Sequence, residues 1–145
     1  MKKITLLTAI FIIAINFGCK KDDDDNNPSK KDLLTTGSWK LTAVVSDEDG
    51  DGTHELNDFI YFSDCYTDNY YIFKANGELE LNEGNSKCDQ ADPQTETANW
   101  QLINNENTLV IENDNYAIED LNTSTLRLKE TFSGNRSSVV TFSKR

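Results

Sequence analysis

From Thr36 to the end of the chain, apolar and polar residues alternate with a period of two rather than the roughly 3.6 of a helix. Trp39, Leu41, Ala43 and Val45 fall on one face of a first run, opposite Lys40, Thr42 and Ser46, while Val44 breaks the alternation. Tyr71, Phe73 and Ala75 share a face in the next run; Leu79 and Leu81 do so after it, with Glu78 and Glu80 pointing away. Trp100 with Leu102, Leu109 with Ile111, Tyr116 with Ile118, Leu126 with Leu128, and Val140 with Phe142 continue the pattern. Successive side chains of a strand point to opposite faces, so a period of two marks strands with one buried side. Between the runs lie Asn104-Asn105-Glu106-Asn107, Asn113-Asp114-Asn115, Asn122-Thr123-Ser124 and Ser133-Gly134-Asn135, whose side chains can close turns on the backbone. The runs recur about every 8–12 residues and none has a helical period, which predicts an all-β antiparallel up-and-down meander of about eight strands. Closure into a small barrel removes the free sheet edges, and about eight strands is the number at which a barrel is just filled or holds one small ligand.

Residues 65–88 form the clearest local unit. Two alternating runs flank Asn76-Gly77, with Cys65 before the first and Cys88 after the second. Asn-Gly between such runs predicts a β-hairpin with a type I′ turn, because both central residues of that turn need positive φ.

The first residues read differently. Lys2 and Lys3 precede an apolar run over residues 4–15, then Asn16-Phe17-Gly18-Cys19. A short basic segment, about a dozen apolar residues and a small residue before a cut describe a secretory signal peptide over residues 1–18. The apolar run is shorter than the roughly 20 residues of a membrane span. Cysteine directly after glycine resembles the lipobox of bacterial lipoproteins, although Asn16 stands where that motif has a small aliphatic residue. The resemblance implies that Cys19 becomes the first mature residue and carries acyl chains into the bilayer. Residues 19–32 then read as a disordered acidic tether: the stretch after Cys19, KKDDDDNNPSKKD, contains no apolar residue to offset its ordering entropy. Lysine followed by acidic residues after a lipidated cysteine also resembles the surface-export signal of some Gram-negative lipoproteins. It implies an outer-membrane, lipid-anchored protein facing the cell exterior, with a plain periplasmic spacer as the alternative. If Cys19 is acylated, Cys65 and Cys88 are the two cysteines left to pair, and an oxidising compartment favours their disulfide. A loop of that size stabilises a fold by roughly 3 kcal/mol on the chain-entropy account.

Composition limits the partners. Without residues 1–18, which hold Lys2 and Lys3, 12 basic side chains face 25 acidic ones, a net charge of −13. Such a domain is a poor ligand for nucleic acid and is repelled by anionic headgroups, so the acyl chains must hold it to the membrane. Residues 33–145 have the length of one domain, expected to be a monomer.

Gly37-Ser38-Trp39 at the first strand is similar to the G-x-W start of lipocalins. SWKLTAVV, a DGDG loop, Cys65 before an aromatic strand and an NG turn, Lys87-Cys88-Asp89, Asn99-Trp100-Gln101 and Leu126-Arg127-Leu128 follow in order. Together they resemble the lipocalin-like domains of Gram-negative outer-membrane lipoproteins over most of residues 33–145. The resemblance implies an up-and-down barrel holding a small apolar or amphipathic ligand, with Trp39, Tyr71, Phe73 and Trp100 as candidate contacts. The same aromatic residues can equally fill the interior. The chain lacks the wall-packing helix of larger lipocalins, which argues against a roomy cavity.

Residues 47–58 carry candidate metal chemistry. Asp47, Asp49 and Asp51 with Gly52 match the first half of a calcium loop, in which alternating oxygens converge on one hard cation. Thr53 would add a carbonyl, Glu55 a water-mediated contact and Asp58 the closing carboxylate. Asp58 is shorter than the usual glutamate, His54 stands where an apolar residue is common, and strands replace the flanking helices, so this is not an EF-hand. Calcium, bound at the about 10⁻⁴–10⁻³ M affinity of extracellular modules, is one reading; a solvated acidic loop is the other. No nucleophile–base pair can be assembled around the one histidine, His54, and the chain is expected not to be an enzyme. Two functions remain. One is a surface-anchored binding lipoprotein with a ligand at the barrel mouth. The other is a structural or interaction lipoprotein, packed solid, whose acidic or calcium-binding loop meets a protein or glycan.

Overall fold

Nine strands follow one another along the chain in the computed structural model, which describes residues 27–145. They are β1 Trp39–Asp47, β2 Leu56–Asn57, β3 Tyr70–Phe73, β4 Glu78–Asn82, β5 Thr95–Ile103, β6 Thr108–Ile111, β7 Asp114–Leu121, β8 Thr125–Thr131 and β9 Ser137–Lys144. Every ladder is antiparallel, and β1 pairs with β3 on one side and β9 on the other, closing eight strands into a barrel. The β1–β3 seam is short, with Trp39 opposite Tyr71 and Lys40 opposite Tyr70. Farther along β1 the neighbouring place is taken by β2, where Val45 faces Asn57. The period-two pattern thus yields the expected fold class.

The odd position of Val44 has a structural cause. Leu41 pairs with Phe142 and Ala43 with Thr141, so Thr42 is an extra residue on β1, a β-bulge. The bulge shifts the alternation by one. Trp39 and Leu41 face inward, but beyond the bulge Val44 and Ser46 face inward and Val45 outward, which corrects the single face predicted for Trp39, Leu41, Ala43 and Val45. Val44 and Ser46 are both buried. A second bulge in β7, at Glu119, brings Leu121 into register with Leu126.

The Asn76-Gly77 hairpin is present between β3 and β4, but its turn differs from the prediction. Gly77 N–H donates to the Lys74 carbonyl at 3.0 Å and Lys74 N–H to the Glu78 carbonyl at 2.7 Å. Positive φ falls on Gly77 (91°) and not on Asn76. This is a type I turn completed by a glycine bulge, in which only the glycine needs the left-handed region. Asn76 instead accepts the Glu78 N–H through Oδ1 at 3.1 Å.

Two short helices were not visible in the periodicity. α1, Lys30–Thr35, starts inside the segment read as tether. Its N-terminus is a capping box: Asp32 N–H donates to Ser29 Oγ at 3.1 Å and Ser29 N–H to Asp32 Oδ2 at 3.2 Å. Six residues with Leu34 as the buried anchor carry too little pattern to be read as a helix from sequence. α2, Asp64–Thr67, carries Cys65 and is joined by the disulfide to Cys88 in the β4–β5 connection, with the Cα atoms 5.2 Å apart. The bond therefore links the two segments flanking the hairpin.

α1 closes one end of the barrel. Trp39 is fully buried there, its Nε1–H donates to the Leu34 carbonyl at 2.9 Å, and Lys144 Nζ lies 4.5 Å from its ring centroid. Lys144 also donates to the Leu33 carbonyl at 2.8 Å, while Lys30 donates to the Glu106 carbonyl and Asn107 Oδ1 in the β5–β6 turn. Leu34, Trp39, Phe73, Leu79, Trp100, Leu109, Leu126 and Leu128 form one core cluster over this end. Trp100 meets Phe73 edge-on at 5.4 Å, and its Nε1–H is shared between the Lys74 and Glu78 carbonyls at the hairpin turn. Both buried indoles thus have an acceptor, as burial of that polar group requires.

Candidate functional site at the barrel mouth

Packing does not continue to the other end, where the 83–94, 112–113 and 132–136 connections emerge. There the barrel holds a cavity of about 340 Å³, with Leu79 and Leu128 of the core cluster among its lining residues. Tyr71, Leu81, Ala98, Ile111, Tyr116 and Phe142 contribute most of the wall, and Glu96 reaches it at the start of β5. The wall residues follow the same alternation across neighbouring strands: Tyr71 pairs with Leu81, Leu79 with Ala98, and Leu128 with Val140. Tyr71 packs edge-on against Phe142 at 5.1 Å, which fixes its ring on the wall.

The two wall tyrosines have shifted acidities. Burial pushes the Tyr71 phenol above its ordinary value, and the Glu83 carboxylate adds to the effect. Burial also raises Tyr116, followed by the charges of Glu130 and Asp114 and by Tyr71 itself. Both phenols are therefore neutral hydroxyls at physiological pH, able to donate and accept beside an apolar surface.

Of the four aromatic residues predicted as ligand contacts, Tyr71 lines the cavity. Trp39, Phe73 and Trp100 lie in the packed cluster beneath it. Leu81, Glu96, Ala98, Ile111, Tyr116, Val140 and Phe142 were missed as site residues. Period two marks such positions as inward-facing but does not say which layer is packed and which is open; that depends on which end α1 covers.

The acidic loop lies outside the barrel wall, next to the 133–135 turn. Asp47, Asp49 and Asp51 can each bring one oxygen within 4.8 Å of the others, a spacing that a cation could bridge. Glu55 and Asp58 are not in that group; Asp58 accepts from Ser46 Oγ at 2.5 Å, and Thr53 N–H donates to Asp51 Oδ1 at 2.7 Å. Asp47 is buried, with 1% of its surface exposed, and its two oxygens accept the N–H groups of Gly50 at 2.7 Å and Gly52 at 2.9 Å. Burial opposes its ionisation, but these backbone donors outweigh that and hold the carboxyl below its ordinary value. Gly50 is essential to the fold of the loop, with φ of 79° and room for no Cβ, which would stand 2.5 Å from the Gly134 carbonyl. His54 meets the buried Ser137 Oγ at 3.1 Å, a pair the sequence did not reveal. Among the described residues no carboxylate hydrogen-bonds the second ring nitrogen of His54, so the pair lacks the orienting acid of a catalytic triad.

The lipocalin-like domain family model matches residues 35–143. The chain belongs to this family, a class of small barrels whose fold suggests binding. A crystal structure of a lipocalin-like protein from Bacteroides uniformis is 19% identical, covering 78% of this chain and 99% of that one, with a TM-score of 0.44. No curated protein matches the chain. Cys19, the residue read as lipidated, lies outside the described residues, as does the signal segment.

Alkaline titration tests the wall. For Tyr71 the folded-state value lies above the unfolded one, so its neutral form contributes stability below about pH 10 that is lost as pH rises through the raised value. Absorbance at 295 nm should show Tyr71 and Tyr116 ionising above the ordinary phenol value, with unfolding following. Tyr71→Phe should remove part of the alkaline loss of stability. Tyr71 and Tyr116 ionising at the ordinary phenol value would contradict the assigned burial.

Proposed function

We propose that this protein is a membrane-anchored, non-catalytic binding protein that holds one small apolar or amphipathic ligand in the barrel mouth. It is tethered to the outer membrane through acyl chains on Cys19 and faces the cell exterior. The observation that carries the binding reading is the apolar cavity of about 340 Å³ above a packed core. Ligand sites are concave, mostly apolar and carry a few placed polar groups, and their volumes start at about 300 Å³, so this cavity suits a small molecule. Tyr71, Tyr116 and Glu96 are the polar groups available to orient it. The anchoring reading is supported by the lipobox-like Gly18-Cys19, by the signal-peptide pattern before it and by the apolar-free stretch after it. Several acyl chains on one cysteine supply the two signals that stable anchoring requires.

Filling the cavity tests the first part. Ala98→Trp places a large ring on the wall, and the affinity for an environment-sensitive apolar dye should fall by at least about tenfold, with the near-ultraviolet dichroism of the folded protein retained. Unchanged dye affinity in a folded variant would remove the cavity as the site. For the second part, Cys19→Ser should move the protein from the membrane fraction to the soluble one; retention in membranes would exclude lipidation at Cys19 as the anchor.

A further inference from the structure

We infer that the mouth selects a ligand whose apolar body ends in a cationic, ammonium-type group, an inference that rests on the binding reading above. Four strands that line the cavity follow the same pattern. Leu81, Ala98, Tyr116 and Leu128 all form part of the wall. Two residues toward the mouth from each of them, on the same face of the strand, stand Glu83, Glu96, Asp114 and Glu130. The β4 alternation extends as far as Glu83, whose N–H donates to the Gln94 carbonyl at 3.0 Å. Glu130 pairs with Ser138, two residues beyond the Leu128–Val140 pair. On four of its strands the apolar wall therefore ends in a carboxylate, a partial ring of which Glu96 lines the cavity itself.

Among the described residues no ion pair neutralises that ring. The basic side chains in ion pairs are committed elsewhere: Lys74 to Glu78 and Glu80, Arg127 to Glu119, and Arg136 to Glu48. Among the described residues, none of Glu83, Glu96, Asp114 and Glu130 has a Lys, Arg or His partner within 4.0 Å. Glu83 Oε2 is moreover buried without a hydrogen-bond donor among the described residues. An ammonium group offers the carboxylates at the mouth, Glu96 on the cavity wall first, both donors and opposite charge. The same carboxylates act on the wall phenols, Glu83 on Tyr71 and Glu130 with Asp114 on Tyr116, which places their field at the cavity. An anionic head, such as a fatty-acid carboxylate, would meet like charge on four strands.

The test uses three probes with the same eight-carbon chain: octylammonium, octanol and octanoate, titrated calorimetrically into the folded protein. Octylammonium should bind about tenfold more tightly than octanol, and octanoate more weakly than either. The Glu96→Gln/Glu130→Gln double variant should bring octylammonium down to the affinity that octanol shows on the same variant. High salt should narrow the same gap by screening the ring. Octanol binding as tightly as octylammonium, or octanoate matching it, would overturn the charge selection and leave the cavity reading standing. Failure of all three to bind would overturn both.

Discussion

The hydrogen bond from the Trp39 indole to the Leu34 carbonyl holds the closed end of this barrel together. It joins a six-residue helix, too short to be stable alone, to the strand that both opens and closes the sheet. Trp39 belongs to β1, and its register partners are Tyr71 on β3 and Lys144 on β9, so it lies where the first and last strands meet. Lys144 completes the arrangement, with its ammonium over the indole and donating to the Leu33 carbonyl. Burial draws that ammonium below its ordinary value, and the contact still holds it in place. Loss of a buried tryptophan of this kind costs about 3–5 kcal/mol, a large fraction of a small domain's stability.

Closing one end decides what the other can be. With Trp39, Phe73, Trp100 and Leu109 packed over the helix, the interior is filled from below, and the remaining layer must rely on smaller or tilted side chains. Ala98, Ile111 and Val140 do not fill the width that the tryptophans fill beneath them, and the cavity is the result. The short β1–β3 seam and the 48–69 excursion leave this end joined by loops rather than by a long ladder, and the Cys65–Cys88 bond fastens those loops to each other. The structure is thus a packed half and an open half, not a choice between a filled barrel and a hollow one.

Much of this was legible in the chain. The alternation gave the strands, their number and most of their inward faces, because one-sided burial writes itself into sequence at period two. Asn76-Gly77 marked the hairpin, though the turn needed positive φ only at the glycine. Val44 was already visible as an irregularity; the bulge at Thr42 that explains it depends on pairing with β9, nearly a hundred residues away, which no local pattern records. α1 was hidden because its evidence is one capping box and one leucine. The site was the least legible part. Trp39, Phe73 and Trp100 drew attention because they are large, yet size is what makes them core. The wall residues are ordinary inward positions distinguished only by their distance from the helix. The carboxylates beyond them read in sequence as solvated polar ends of strands.

Hydrogen exchange at the Trp39 indole tests the role of the closed end most directly. If this contact is the constraint on which the barrel depends, the indole N–H exchanges only when the whole domain unfolds, at the rate of the slowest backbone amides, while amides around the mouth exchange through local opening. An indole proton exchanging as fast as the mouth amides, with the rest of the barrel still protected, would show that the helix and Trp39 are a detachable lid and that the fold is held elsewhere.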